Sequence, residues 1–230
     1  MKLAIIADIH SNLEALNAVL DQVQMLGIKN IVCAGDIVGY GANPNECCNL
    51  IKKLNIPCTM GNHDINAVNL QNLDWYNGFA RAALKWTNKQ LTTENKDFLA
   101  KLPKMNSIKI EDKTLLIVHG SLDDPLYDYV KPDSSDARLL DFIIRSKSNI
   151  LIMGHTHLPM SRKIEHGTII NPGAIGQPRD NNPKASYAIL DSTLNRVTIN
   201  RVKYDIETAS KKIISAGLPR YLAERLFKGI

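Results

Sequence analysis

The sequence predicts an α/β fold in which buried strands pair in parallel. Three observations predict it. Short apolar runs recur, and each ends in a polar cluster: KLAIIADIH, NIVCAGD, CTMGNHD, TLLIVHGS, ILIMGHTH and TIINPGA. The runs lack strict alternation, as strands covered on both faces do. Helical patterns separate the first three, and strand–helix–strand–helix–strand means two βαβ units.

The elements follow in order. After the first strand, Leu13, Leu16, Val19, Leu20 and Val23 recur at helical spacing. Ser11 and Glu14 offer a capping box at the start of this helix, and Gly27 a C′ residue at its end. Asn45–Leu54 reads as the second helix, with Pro44 near its N-terminus. From Ile65 to Pro103 the pattern is helical only. One helix runs through Phe79, Ala82, Ala83 and Trp86, and a shorter one through Glu94–Leu102, capped by Thr92 or Thr93. Strands resume at Ile108. Ser134–Ser146 is helical, with Leu139, Leu140, Ile143 and Ile144 on one face. SYAILD and VTINRVKY form a hairpin around Thr193–Asn195. The tail Glu207–Phe227 is helical, broken at Gly217 and Pro219. No repeat or low-complexity linker interrupts the chain, so one domain is expected over residues 1–230, with a helical insertion at about 65–105.

Composition narrows the function. The 230 residues are 44% hydrophobic and 22% charged, as in a globular protein with a real core. The net charge of +5 comes without a run of like charges. A polybasic membrane patch or a specific nucleic-acid surface is therefore not expected, whereas a small anionic substrate suits the charge. Cys33, Cys47, Cys48 and Cys58 lack CxxC spacing and read as reduced thiols. The run Leu3–Ala7 is too short for a signal sequence, and no stretch suits a membrane span. A cytoplasmic protein is expected.

Chemistry collects at the strand ends. The first gives Asp8 and His10, the second Asp36, and the third Asn62, His63 and Asp64. Later ones give His119, then His155 and His157. Five of six histidines fall there, and only His166 does not. Ligands of open α/β sheets bind at the carboxyl ends of strands. If the strands stay extended, residues i and i+2 face the same way, which pairs Asp8 with His10 and His155 with His157. So many buried ionisable groups need a cation between them. A mixed His/Asp/Asn set suits zinc, manganese or iron better than calcium. Seven ligands exceed one tetrahedral ion, and two ions sharing a carboxylate use them all.

In order, these segments read D-x-H, G-D, G-N-H-D, H-G and G-H-T-H, and the set resembles the calcineurin-like metallophosphoesterase superfamily. GDIVGYG and NPGAIGQPRD further resemble its small prokaryotic phosphodiesterase branch. The resemblance implies a four-layer α/β/β/α sandwich with two central mixed sheets. It implies one metal on Asp8, His10 and His157, a second on Asn62, His119 and His155, and Asp36 bridging. It also implies attack on phosphorus by a hydroxide shared between two divalent ions (Mn, Fe, Zn or Ni, with Mn and Fe favoured). His63 then serves the leaving oxygen. The expected substrate is a nucleotide-like or other small phosphate ester. The alternatives are a phosphomonoesterase or protein phosphatase, and a non-catalytic scaffold subunit; a homo-oligomer stays open.

The chain also departs from the family. The protein-phosphatase branch extends GD to GDxVDRG, and here Gly39 and Tyr40 replace its Asp and Arg. The carboxylate that would orient His63 is missing, as is that branch's phosphate-binding arginine. Arg179 is the first candidate to replace the arginine and Arg81 the second. Trp75, Tyr76, Phe79 and Trp86 allow a base-stacking lid, but periodicity favours core packing for Phe79 and Trp86.

Overall fold

In the computed structural model, which describes Met1–Ile230, the first strand β1 (Lys2–Ile6) is buried on both faces. Leu3 and Ile5 enter one core, and Ala4 and Ile6 enter another. A fully buried Leu or Ile contributes roughly 1.5–3 kcal/mol, so β1 is fixed between two layers. It pairs in parallel with β2 (Asn30–Cys33) and antiparallel with β8 (Ala185–Asp191), and β9 (Arg196–Val202) completes this sheet. The second sheet has the order β3 (Met105–Ile110), β4 (Lys113–Val118), β5 (Ile150–Ile152), β7 (Gly167–Asn171), β6 (Met160–Ile164). Its inner pairs are parallel and its outer pairs antiparallel.

The sheets face each other across Leu3, Ile5 and Leu190 on one side and Leu115, Ile117 and Ile152 on the other. Outside the first sheet, α1 (Leu13–Met25) and α2 (Pro44–Lys53) bring Leu16, Val19 and Ile51 onto Ala4 and Ile6. Outside the second, α6 (Asp136–Ser146) packs onto Leu151 and Ile169. The order helix, sheet, sheet, helix is the four-layer sandwich expected.

Several local expectations change. Asn12, not Ser11, caps α1, its Oδ1 accepting from Ala15 N at 3.1 Å. The third strand shrinks to one bridge between Cys33 and Cys58, because GNHD opens helix α3 (Asn62–Asn69) instead. The buried face of α6 is Leu139, Phe142 and Ile143, leaving Ile144 exposed. In α4 (Gly78–Gln90) the buried face is Ala80, Ala83, Leu84 and Thr87, so Phe79 points outward. The last stretch of that region is α5 (Thr93–Ala100), capped by Thr92. Helices α7 (Ile206–Ser215) and α8 (Arg220–Glu224) close the chain over α4, with Leu218 and Leu222 against Ala80, Ala83 and Tyr40.

Candidate metal centre

The carboxyl ends of β1, β2, β4 and β5 meet at one edge, where both sheets contribute. Asp8 N donates to Gly35 O at 3.0 Å and Gly154 N to His119 O at 2.9 Å, within the sheets. Between them, His155 N donates to both Asp8 carboxylate oxygens at 3.2 Å. The ligand pairs do not sit on extended strand. Asp8, His10, Asp36, His155 and His157 all have left-handed backbone, with φ of 53°, 48°, 55°, 68° and 61°. Tight turns after the strands, not strand pleating, bring residues i and i+2 together.

Two groups of ligating atoms result: Asp8, His10 and His157, and Asp36, His119 and His155, all buried. Asn62 joins the second, its Oδ1 3.1 Å from His119 Nε2. Each histidine is held through one ring nitrogen. His10 Nδ1 faces Val38 O at 3.0 Å, His119 Nδ1 faces Ala34 O at 2.8 Å, and His157 Nδ1 faces Gln177 O at 2.5 Å. His155 uses Nε2, on Tyr127 O at 3.2 Å. A carbonyl only accepts, so these nitrogens carry protons and the other nitrogens face the site; those of His10, His155 and His157 keep their lone pairs, while His119 Nε2, 3.3 Å from Asp36 Oδ2, would give up a proton to a cation. His10 Nε2 and His157 Nε2 then meet at 3.0 Å as two lone pairs, an arrangement that a cation satisfies.

Asp36 lies between the groups. Its Oδ1 accepts from His63 N at 2.8 Å. Its Oδ2 is buried without a hydrogen-bond partner, 3.6 Å from His10 Nε2 and 3.3 Å from His119 Nε2. An orphaned carboxylate oxygen facing both histidine sets fits a pair of divalent ions.

Charge within the site follows from burial and proximity. Burial pushes His10, His63 and His155 down to about 3 and His157 well below its usual range, so these rings are neutral, the form in which His10, His155 and His157 could hold a metal. Burial opposes charge on His119 too, but Asp36 and Asp8 push it up to about 10. Burial raises Asp8 to about 8 against the pull of His119. Burial also disfavours charge on Asp36, yet His119 and His63 hold it below the usual carboxylate range.

The two departures from the family pattern have structural answers. Gly39 has φ of 96°, and a Cβ there would stand 2.5 Å from His63 Nδ1. Backbone thus fills the place of the orienting carboxylate, and His63 Nδ1 is buried without a partner. Asp64 does not replace that carboxylate. It accepts from the backbone N–H groups of Asp36, Ile37, Val38 and Gly61, stapling α3 to the β2 loop. Tyr40 stands where the arginine would, its ring 4.5 Å from that of His63 and 4.7 Å from that of His10.

A cavity of about 510 Å³ opens over the centre, lined by Asp36, Asn62, His63, His155 and His157. Arg179 lines it as well, donating to Tyr40 OH at 3.4 Å and Gln177 Oε1 at 3.2 Å. Arg81 does not reach it. Its guanidinium is spent on the carbonyls of Leu73 and Tyr76. Phe79, expected in the core, is 44% exposed and lines the cavity, while Trp86 stays half-buried among the α7–α8 contacts. Tyr129, Tyr221 and Arg225 line it without having been expected. The spacing of Tyr221 and Arg225, one helical turn apart, was the only trace of them in the sequence. A larger cavity of about 870 Å³ at the β2–β3 edge has no cluster of ligating side chains.

Facing mixed sheets that share a buried His/Asp cluster at one edge define a metallohydrolase. Residues 1–194 match the calcineurin-like phosphoesterase superfamily domain, and the chain belongs to that family. It is 41% identical to an uncharacterized protein of Methanocaldococcus jannaschii, covering 99% of this chain and 98% of that one. A crystal structure of a metallophosphoesterase from Sphaerobacter thermophilus, 35% identical, superposes with a TM-score of 0.86 over 100% of this chain and 99% of that chain. Phosphodiesterase YfcE of Escherichia coli is 24% identical over 87% of this chain and 93% of its own length. No helix is long and apolar enough to cross a membrane.

Proposed function

We propose that the protein is a phosphodiesterase that hydrolyses a small, nucleotide-like phosphate ester at a pair of divalent ions. One observation carries this: the orphaned Asp36 Oδ2 between two histidine sets whose ring nitrogens turn inward. Asp8, His10 and His157 would hold one ion, Asn62, His119 and His155 the other, with Asp36 placed to serve both. The chemistry supplied by such a pair would be acidification of a water toward neutral pH and neutralisation of phosphoryl oxygens. The chain's own groups do the rest. The carbonyls of Val38, Ala34, Gln177 and Tyr127 fix the four rings. Arg179, held by Tyr40 and Gln177, offers N–H groups to phosphoryl oxygens. His63, in the cavity wall, would stabilise the leaving oxygen through a ring N–H.

The His/Asp/Asn donor set favours manganese or iron. The diester preference is supported by the phosphodiesterase relative and by the absence of the protein-phosphatase arginine. The four free, buried cysteines suit a reducing cytoplasm. The test is turnover of bis(p-nitrophenyl) phosphate by protein stripped with chelator and then reloaded with manganese. Activity should vanish and return. Full turnover by metal-free protein overturns the proposal.

A further inference from the structure

The candidate metal ligands account for only part of the cavity lining. Beside Tyr40, Phe79 and Arg179 the wall also draws on the C-terminal segment, past the 194 residues that match the family domain. This segment brings Tyr221 and Arg225 to the cavity. Its place there is fixed by packing, since Leu222, Ala223 and Leu226 are buried against α4 and Tyr40.

Arg225 is unusual among the arginines. Of the nine in the chain, Arg81, Arg138, Arg145, Arg162, Arg201 and Arg220 pair with an Asp or Glu side chain. That leaves Arg179, Arg196 and Arg225, and two of these three line this one cavity. Arg225 is half-buried, and its only hydrogen bond runs from Nε to the main-chain oxygen of Ile230. Both terminal nitrogens are left without a protein acceptor. Arg179 likewise keeps a buried Nε with no partner. Burial, then the nearby Arg179, both disfavour charge on Arg225, as expected of two guanidiniums facing one space. Two guanidiniums that face one space, neither of them paired with a carboxylate, favour an anion in front of them.

The same wall is aromatic. Phe79 and Tyr221 stack with ring centroids 4.6 Å apart and an interplanar angle of 26°. They are 44% and 39% exposed, so part of the stack remains open. Trp75, 76% exposed, lines the cavity too. Of the chain's two Trp, seven Tyr and four Phe, seven line this cavity. Flat aromatic faces beside cations suit a base joined to phosphate.

We infer that the C-terminal segment forms a second recognition subsite, in which Arg225 binds a further phosphoryl group of the substrate and the Phe79–Tyr221 stack carries its aromatic ring. The substrate class is then a nucleotide ester bearing a phosphate besides the one cleaved. This rests on the phosphoesterase reading of the centre. Arg179 serves the scissile phosphate, next to Tyr40 and the histidines; Arg225 lies one step farther out.

The test uses two chromogenic esters that share scissile bond and leaving group: thymidine 5′-(p-nitrophenyl phosphate), with and without a 3′-phosphate. Manganese-loaded full-length protein should favour the 3′-phosphorylated ester by about tenfold, through KM, which is the scale of one charge-assisted contact. Arg225→Gln should erase the preference, with a smaller loss on the plain ester than on the 3′-phosphorylated one, while Arg225→Lys should keep part of it. No preference in the wild type, or the same preference in Arg225→Gln, overturns the inference. Equal losses on both esters also overturn it, since Arg225 would then only latch the tail. Calorimetric binding of thymidine 3′,5′-bisphosphate against thymidine 5′-phosphate reads the subsite without turnover. A margin that Arg225→Gln removes supports the subsite, and equal binding overturns it. Absence of turnover of either ester would instead refute the phosphoesterase reading alone.

Discussion

Asp36→Asn is the sharpest probe of a shared carboxylate. Asparagine has nearly the same shape, so its Oδ1 can still accept from His63 N, now at 2.8 Å, and the turn should survive. What changes is charge. Among Asp8, His10, Asp36, Asn62, His119, His155 and His157 only two side chains are carboxylates, so the substitution removes half of the centre's negative charge. A unit pair near 4 Å is worth about 4 kcal/mol at an effective dielectric of about 20. That is roughly a thousandfold in Kd. The amide oxygen recovers part, so roughly a hundredfold loss or more is expected at each site. Manganese titration by calorimetry reads both sites. Thermal unfolding reads them together: saturation at about 100 times Kd stabilises by roughly 2.7 kcal/mol per site. For two sites in a chain of this size that is about 10–20 °C in Tm. The variant should lose most of this metal-induced rise. Loss of one ion with the other bound at wild-type affinity would refute the bridging role, and two unchanged sites would remove Asp36 from the ligands.

Other outcomes follow from neighbouring residues. His63→Ala should retain its metal and lose roughly 10²–10⁴-fold in rate on an ester with an alkoxide leaving group, less with nitrophenolate, as paired kinetics will show. Gly39→Ala places a Cβ against His63 Nδ1 at a φ of 96°. It should lower kcat with metal content intact, and an unchanged kcat would mean that His63 tolerates displacement. Arg179→Lys should lower kcat/KM without releasing metal, because lysine cannot reproduce the guanidinium contacts to Tyr40 and Gln177. Arg81→Lys, at a residue bonded to two carbonyls and not itself in the cavity lining, should leave the kinetics unchanged.

The clustering of the candidate metal ligands was legible in the sequence because these residues follow strands. An apolar run that stops at Asp, His or Asn places a polar side chain at a sheet edge, and the parallel pairs bring those edges together. The way residues i and i+2 converge was not legible, since left-handed turns leave no pattern at aspartate or histidine. The outward Phe79 was missed because helical periodicity fixes a stripe only to within a residue. Ser11 and Asn12 are both good caps, and only backbone geometry chooses Asn12. Arg179 was reached through its motif. Arg225 comes to the same cavity from 46 positions later, as 225 − 179 gives. Its position depends on how α7 and α8 fold back over α4, a packing event with no local signature.

The left-handed backbone at His10, His155 and His157 sets activity against robustness. Such a conformation costs a residue like histidine roughly 1–2 kcal/mol. Three of them amount to about 3–6 kcal/mol, set against a net folding stability of roughly 5–15 kcal/mol for an ordinary domain. Glycine would adopt these turns freely but has no imidazole to offer a metal. If these histidines hold metal as proposed, the three turns are where this chain has given up stability for chemistry. A relative that lost its metal would be free to drift toward glycine or asparagine at these same three turns.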